Sequence, residues 1–523
     1  MQRLVGLETE YGLYIEGKNP SELVFEAAEV VRSYNASTFA SPWDYRREDP
    51  RKDARGFHVE YLQTDPVDAQ YDTEGTASAC MSAETRSDRV LPNGARLYND
   101  HGHPEYSTPE CVSLRELVAH DRAGERIVWS CAQEYMRRTG LKVHIYKNNT
   151  DFHGASYGCH EGYLMRRSVP FEQVIRGMMP FFVTRILYAG AGKVGVETPG
   201  VFGDVPYQLS QRADFFSVEA SVDTLYQRPI INTRDEPHAT PSRYRRLHVI
   251  CGDANMSEYA TALKVGTTRL VTEMIETGWQ PGIAIRNPVE TIRRLSRDPQ
   301  WRWEVELEDG RTLSAIEVQR LYLREAQSRF AHADTETQWL LMAWESTLDA
   351  LERDPQQLAD SLDWVAKRLL LEQFIESEGV DWKEPIVQSL DLAYHSIDPQ
   401  DGLFAGLEQM GAVRRVVTDK DIERAMCHPP SSTRAWVRGT LVERYPQAIS
   451  AITWSRVQLT FGEQAVTLDL RDWVTQRVPQ KVQRLAKAHN LTEFVNTFRQ
   501  LHASRKSEEE GGNQPCSGEQ MTG

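Results

Sequence analysis

The sequence predicts an α+β fold, and three observations carry that reading. Residues 4–15, LVGLETEYGLYI, alternate as a strand does. Residues 314–374 are mostly helical, with Leu341, Trp344, Leu348 and Leu351 recurring on one stripe. Near the C-terminus, Val457, Leu459 and Phe461, then Val466, Leu468 and Leu470, alternate on either side of Gly462-Glu463-Gln464, a hairpin followed by helical sequence.

In chain order, the first strand puts Val5, Leu7, Thr9, Tyr11, Leu13 and Ile15 on one face and Glu8 and Glu10 on the other. Two strand rises place those carboxylates about 6–7 Å apart, close enough to repel. They form either a solvated face or one that converges on positive charge. A helix follows, capped by Ser21 with Leu23, Ala27, Val30 and Val31 at helical spacing. Residues 36–90 are polar, dense in charge and without periodicity, and read as an inserted mobile loop.

Asn93-Gly94 signals a turn, after which ARLYND reads as a strand with Arg96, Tyr98 and Asp100 on one face. Glu105 and Glu110 come within ten residues. LKVHIYKNN opposes Val143 and Ile145 to His144, Tyr146 and Asn148, and VPFEQVIRGMMPFFVTRILYAG reads as a buried apolar helix. His248 lies in an apolar strand over 247–251. TALKVGTTRLVTEMIETG is an amphipathic helix ending at Gly278. A Pro-containing break at 427–430 separates a catalytic domain, 1–430, from a small C-terminal domain, 431–503. The tail, 504–523, is polar and Gly-rich and is expected to be disordered.

Bulk properties narrow the function classes. A chain of 523 residues accommodates two to four domains or one large catalytic domain with an appendage. Its 75 acidic and 60 basic residues give a net charge of -15, which disfavours nucleic acid or an anionic membrane as the main partner. There is no run of about 18 apolar residues and no signal-peptide pattern at the start, so a cytoplasmic location is expected. The seven cysteines contain no CxxC pair and suit free thiols in a reducing compartment.

The candidate chemistry is a meeting of acids. If the Arg96, Tyr98 and Asp100 face opposes the Glu8 and Glu10 face, several oxygen ligands and an arginine converge, the donor set that hard cations such as Mg²⁺ favour. Such a cation bridges carboxylates to the phosphates of a nucleotide. His160, in KNNTDFHGASYGCHEGYL, is either a metal ligand or a packed, hydrogen-bonded residue. Arg212 and Arg234 carry donor forks suited equally to phosphate and to carboxylate. Two other motifs fail. AGAGKVG lacks the first Gly and the Ser/Thr of a phosphate-binding loop, and His101-Gly102-His103 with Cys111 lacks zinc-ligand spacing.

Taken together, ETEYG, NGARLYND with HPEYSTPE, KNNTDFHGASYGCHEGYL, LSQRAD, INTRDEPHA, YRRLHVICGDAN and TRAW resemble the Pup ligase and depupylase family, whose catalytic domain is similar to glutamine synthetase. The resemblance spans nearly the whole chain. It implies a curved antiparallel sheet flanked by helices, with a small C-terminal α+β domain.

The insert containing SPWDYRREDPRKDARGF resembles the loop that depupylases carry and Pup–protein ligases lack, and DHGHPEY is like the depupylase spacing, so the resemblance sides with the depupylases. That branch hydrolyses the isopeptide bond between the C-terminal Glu of Pup and a substrate lysine, and deamidates the C-terminal Gln of Pup. The resemblance implies Asp100 as the catalytic aspartate. It implies Glu8, Glu10, Tyr98, Glu105, His160 and His248 around Mg²⁺, and Arg96, Thr108, Arg212, Arg234 and Trp436 around ATP or its phosphates. Pup, pupylated proteins and the bacterial proteasome are the implied partners.

Overall fold

The computed structural model describes residues 3–34, 43–60, 62, 87–197, 205–224, 227–461 and 464–511. The strands that build the site are β1 (Val5–Glu10), β2 (Gly12–Ile15), β3 (Arg89–Val90), β4 (Arg96–Asp100), β5 (His103–Ser107), β6 (Val143–Tyr146), β7 (Cys159–Arg166) and β8 (Tyr244–Val249). Six of them form one antiparallel sheet in the order β8-β7-β1-β5-β4-β3.

The strand expected over 4–15 is in fact two. The chain leaves the large sheet at Tyr11, whose backbone N–H donates to the carbonyl of Pro104, and β2 pairs with β6 instead. Gly12 permits that change of partner. A Cβ there would lie 2.5 Å from the Tyr157 phenol oxygen, so any larger residue would displace that ring.

One face of the large sheet is apolar for the reason the alternation predicts. Val5, Leu7, Tyr163, Leu247 and Val249 are all at most 1% exposed and belong to the main core. Against them pack helices rich in large side chains, Phe171–Thr184 and Glu258–Glu276. Each buried Leu or Val contributes about 1.5–3 kcal/mol, so register is strongly specified and the polar set is committed to the opposite face. Helix Leu114–Thr139 begins on Ser113, whose hydroxyl accepts from the N–H groups of Arg115 and Glu116, and ends at Gly140 with φ 73°. The helical stretch over 314–374 resolves into Ala315–Arg329, Thr335–Arg353 and the start of Asp363–Glu378. Its Leu341, Trp344, Leu348 and Leu351 stripe is buried core.

Residues 435–501 gather a second core, including Val437, Leu441, Ile452, Leu459, Leu468 and Phe498. The expected hairpin, Arg456–Phe461 with Gln464–Asp469, gains a third strand, Ile449–Thr453, on its open edge. A buried clamp joins this unit to the sheet, with Glu110 accepting from Arg434 at 2.7 Å and from Arg438 at 2.5 and 3.0 Å.

Two expectations need correction. The described parts of the 36–90 stretch are packed. Trp43 bridges Ile452 and meets Trp454 edge-on at 5.4 Å, while Asp53 is 1% exposed and bonded to Arg55 and Thr233. Sequence polarity concealed this because a single Trp and a paired Asp suffice to dock the segment. Residues 61 and 63–86 lie outside the described residues. The final helix, Leu491–Gly511, runs past 504 into the expected disordered tail, where Arg505, Lys506 and Glu508 to Glu510 are good helix formers. Residues 512–523 lie outside the described residues.

Candidate functional site

Strand register assembles the polar face. Glu8 stands opposite His160 on β7 and Ser107 on β5, and Glu10 stands opposite Glu105. On the next strand Tyr98 faces Glu105 and Asp100 faces His103. Asp100 and His103 close a two-residue hairpin through His101 and Gly102, with φ 46° and 90°, the mirror-image turn whose twist suits adjoining strands. That turn fixes Asp100 at the lip of the sheet. On β8 the same alternation brings Arg246 and His248 to this face.

Two groups of ligand atoms result, each with its atoms within 4.8 Å of one another: Glu8, His160 and His248, and Glu10, Asp100 and Glu105. His160 links them, with its Nδ1 3.7 Å from Glu8 and its Nε2 4.0 Å from Glu10.

Their electrostatics differ. Burial pushes the Glu8 carboxyl up, but Arg246, whose Nη1 donates to Oε1 at 2.9 Å, then His160 and His248, outweigh it and leave Glu8 well below the usual carboxylate range. For Glu105, burial and then the charges of Asp100, Glu10 and Glu8 all act upward, holding its carboxyl well above that range. Burial first, and then Arg246, keeps His248 neutral, the form in which imidazole ligates. Both its ring nitrogens are buried without a hydrogen-bond partner. A face with orphaned imidazole nitrogens beside crowded carboxylates fits a divalent cation.

The other expected residues divide into three positions. Tyr98 lies beneath the Arg96 guanidinium, 3.7 Å from its ring centre. Arg96 is already engaged, ion-paired with Asp88 at 2.6 Å, donating to the Tyr45 hydroxyl, and covered on its other side by Trp43 at 4.0 Å. Arg212 lies at the Glu10 end, 2% exposed, donating from Nη1 to the Tyr157 carbonyl at 2.8 Å. Thr108 accepts from the Leu7 N–H at 3.0 Å and lines a pocket beside Glu8.

The structure does not bring Arg234 and Trp436 into these groups. Arg234 ion-pairs with Glu236 at 4.0 Å, and Trp436 stacks on Phe494 within the C-terminal unit. The indole that lines the Glu8 pocket is Trp454, together with His238, Arg246 and Arg434. None of these four is among the expected site residues. Arg246 is signalled by its place two residues before His248, on the same strand face, and His238 and Arg434 stand within INTRDEPHA and TRAW, while Trp454 lies in none of the quoted motifs.

Comparison with known proteins gives concordant matches. The model of the Pup-ligase protein family matches residues 3–458. The Pup deamidase/depupylase of Mycolicibacterium smegmatis is 41% identical over 88% of this chain and 92% of its own. The Pup–protein ligase of Saccharomonospora viridis is 44% identical over 76% of this chain and 90% of its own. Among solved structures, the Pup ligase PafA in complex with ADP superimposes with a TM-score of 0.68 at 33% identity, over 84% of this chain and 98% of its own.

Proposed function

The chain belongs to the Pup-ligase protein family, and on that premise we propose that it is a depupylase and Pup deamidase. It hydrolyses the isopeptide bond between the C-terminal Glu of Pup and a substrate lysine, and converts the C-terminal Gln of Pup to Glu. The deamidase/depupylase relative matches a larger share of this chain than the ligase relative does. The observation that carries the mechanism is Asp100 at a hairpin lip, grouped with Glu10 and Glu105 and adjoining the Glu8, His160 and His248 group.

Amide hydrolysis requires an activated nucleophile and a stabilised oxyanion. Asp100 supplies the first, either attacking the γ-carbonyl carbon through its own oxygen or taking the proton of an attacking water. Glu10, Glu105 and Glu8, with His160 and His248, would hold Mg²⁺. Tyr98 backs Glu105 from the adjacent strand. When bound, the cation supplies positive charge to nucleotide phosphates and to charge developing at the reacting carbonyl. Arg212 presents a buried guanidinium to the same end of the face. The pocket lined by Thr108, Trp454, His238 and Arg434 is the proposed place for ATP, and likeness to the Pup ligase PafA in complex with ADP supports nucleotide binding as such. Hydrolysis of an amide runs downhill in water, so ATP serves as a bound cofactor.

Pup and pupylated proteins are the proposed partners, with a link to the proteasome and a cytoplasmic location. Among the described residues, no helix is long and apolar enough to cross a membrane.

Incubation with ATP, Mg²⁺ and a pupylated protein tests this reading. Release of free Pup, reduced about 10³-fold in Asp100→Asn while ATP binding persists, is the expected result. Conjugation of glutamate-ended Pup to new lysines would assign the ligase reaction instead. Steady ADP formation with glutamate and ammonia would mark a small-molecule ligase, and Pup binding without turnover an adaptor.

A further inference from the structure

A buried, permanently charged side chain is costly unless something answers its charge, and Arg212 is such a side chain. It is 2% exposed, its Nε has no partner, and its described hydrogen bond to protein is the Tyr157 carbonyl. The Glu10 and Asp253 carboxylates act on its charge without a described hydrogen bond to it, and an anionic ligand oxygen at the Glu10 end of the site would complete its bonding. A guanidinium selects an anion best when its backbone is held still, and the segment carrying it is braced by buried hydrogen bonds.

The hydroxyl of Ser210 is the hub. It accepts from the N–H groups of Arg212 at 3.1 Å and Ala213 at 3.2 Å, and donates to Asp253 Oδ1 at 2.9 Å. The other Asp253 oxygen accepts from the N–H of Gln211 at 2.9 Å and that of Ala191 at 2.8 Å. The Gln211 side chain reaches the opposite way. Its Oε1 accepts from the Asn149 N–H at 2.7 Å, and its amide donates to Nε2 of His395 at 2.9 Å. Nδ1 of His395 donates to the Lys147 carbonyl at 2.8 Å, which fixes the tautomer and leaves Nε2 as acceptor. Every one of these groups is at most 3% exposed.

We propose that Ser210 and Asp253 are positioning residues for Arg212, locking its backbone so that the guanidinium meets an anionic oxygen of the bound ligand. This rests on the reading of Arg212 as an anion-binding residue of the site. The two hydrogen bonds into Ser210 Oγ set the turn that aims Arg212, and Asp253 fixes the hydroxyl's rotamer by accepting its hydrogen bond. Ser210→Ala removes one atom from a packed site and frees both N–H groups. Asp253→Asn places an amide N–H against a hydroxyl whose acceptor positions are already filled, and disturbs the same hub by another route.

The test is a double-mutant cycle on the full chain, with Mg·ATP as probe, measuring affinity by calorimetry and kcat and KM for release of Pup. Ser210→Ala is expected to weaken Mg·ATP about tenfold, and Arg212→Lys by as much or more. The double variant should be no weaker than Arg212→Lys alone, because the hub acts only through the guanidinium. Ser210→Thr, which keeps the hydroxyl, should return affinity to within about threefold of wild type. Asp253→Asn should follow Ser210→Ala in affinity while its melting temperature stays near that of wild type.

If Arg212→Lys weakens the ligand and Ser210→Ala does not, the positioning role is wrong. Additive losses in the double variant overturn it as well, since a general loss of structure would add. If Arg212→Lys itself leaves affinity and turnover unchanged, the anion-binding reading beneath it fails instead.

Discussion

Glu8 and Glu105 belong to the same sheet face, yet one end of that face is balanced and the other is not. At the Glu8 end a guanidinium and two imidazoles surround one carboxylate, and the group is held ionised. At the Glu105 end two further carboxylates, Asp100 and Glu10, crowd a buried third, and Ser107 offers only a neutral hydroxyl at 3.2 Å. The contrast shows that the protein balances one half by direct ion pairing, whereas in the other the Arg212 charge acts on Glu10 but burial and the neighbouring carboxylates dominate at Glu105. It puts Asp100, the proposed reacting group, in the crowded half.

Glu110 is the extreme of the balanced case and gives the largest expected effect. Arg434 and Arg438 hold its carboxyl down at about 2 against the opposing effect of burial. Its folded value is lowered, so its contribution is complete above the unfolded value of about 4.3 and is lost as pH falls from there through about 2. Glu110→Gln leaves two buried guanidinium groups without their anion and should cost about 3–5 kcal/mol at pH 7 in denaturant unfolding. The variant should also show a flatter decline in stability over that acid range than wild type does. An unchanged acid slope would mean that the clamp does not carry it.

Next comes the direct contrast, measured by thermal unfolding in EDTA. Glu8→Gln leaves Arg246 without its ion pair and should destabilise by about 1–3 kcal/mol. Glu105→Gln replaces an acid held neutral by its surroundings with a neutral isostere, and should leave stability unchanged or raise it. Equal losses would erase the difference between the two ends. Under Mg·ATP the order should reverse in part, with wild type gaining more in melting temperature than Glu105→Gln.

The smallest effect is at the hairpin that presents Asp100. Gly102 has φ 90°, and a Cβ there would meet Val24 Cγ2 at 3.2 Å. Gly102→Ala should cost about 1 kcal/mol and reduce depupylation more than it reduces ATP affinity. Equal losses in both would show that the turn supports the whole face rather than its lip.

Much of this was legible in the chain because strands alternate. The pairing of Glu8 with Glu10 and the shared face of Arg96, Tyr98 and Asp100 follow from a period of two. Arg246 was legible in the same way, but YRRLH reads as surface charge until β8 is known to flank β7. Trp454 had no such signal. It sits in ITW, an ordinary strand end, and reaches the pocket because the C-terminal unit folds back over the sheet. Trp436, in the more distinctive TRAW, turns into its own core. The packing of Trp43 was hidden by the polar residues around it, since composition averages over a segment whereas docking depends on single side chains.

Local alternation and capping residues thus determined by themselves which side chains share a strand face and where helices begin, because backbone geometry imposes those relations within a few residues. The order of strands, the division of six candidate ligands into a balanced and an unbalanced group, and the placing of Trp454 rather than Trp436 beside the Glu8 pocket were decided only by the tertiary structure. Those depend on which distant segments become neighbours, and burial of the apolar face across the whole sheet sets that.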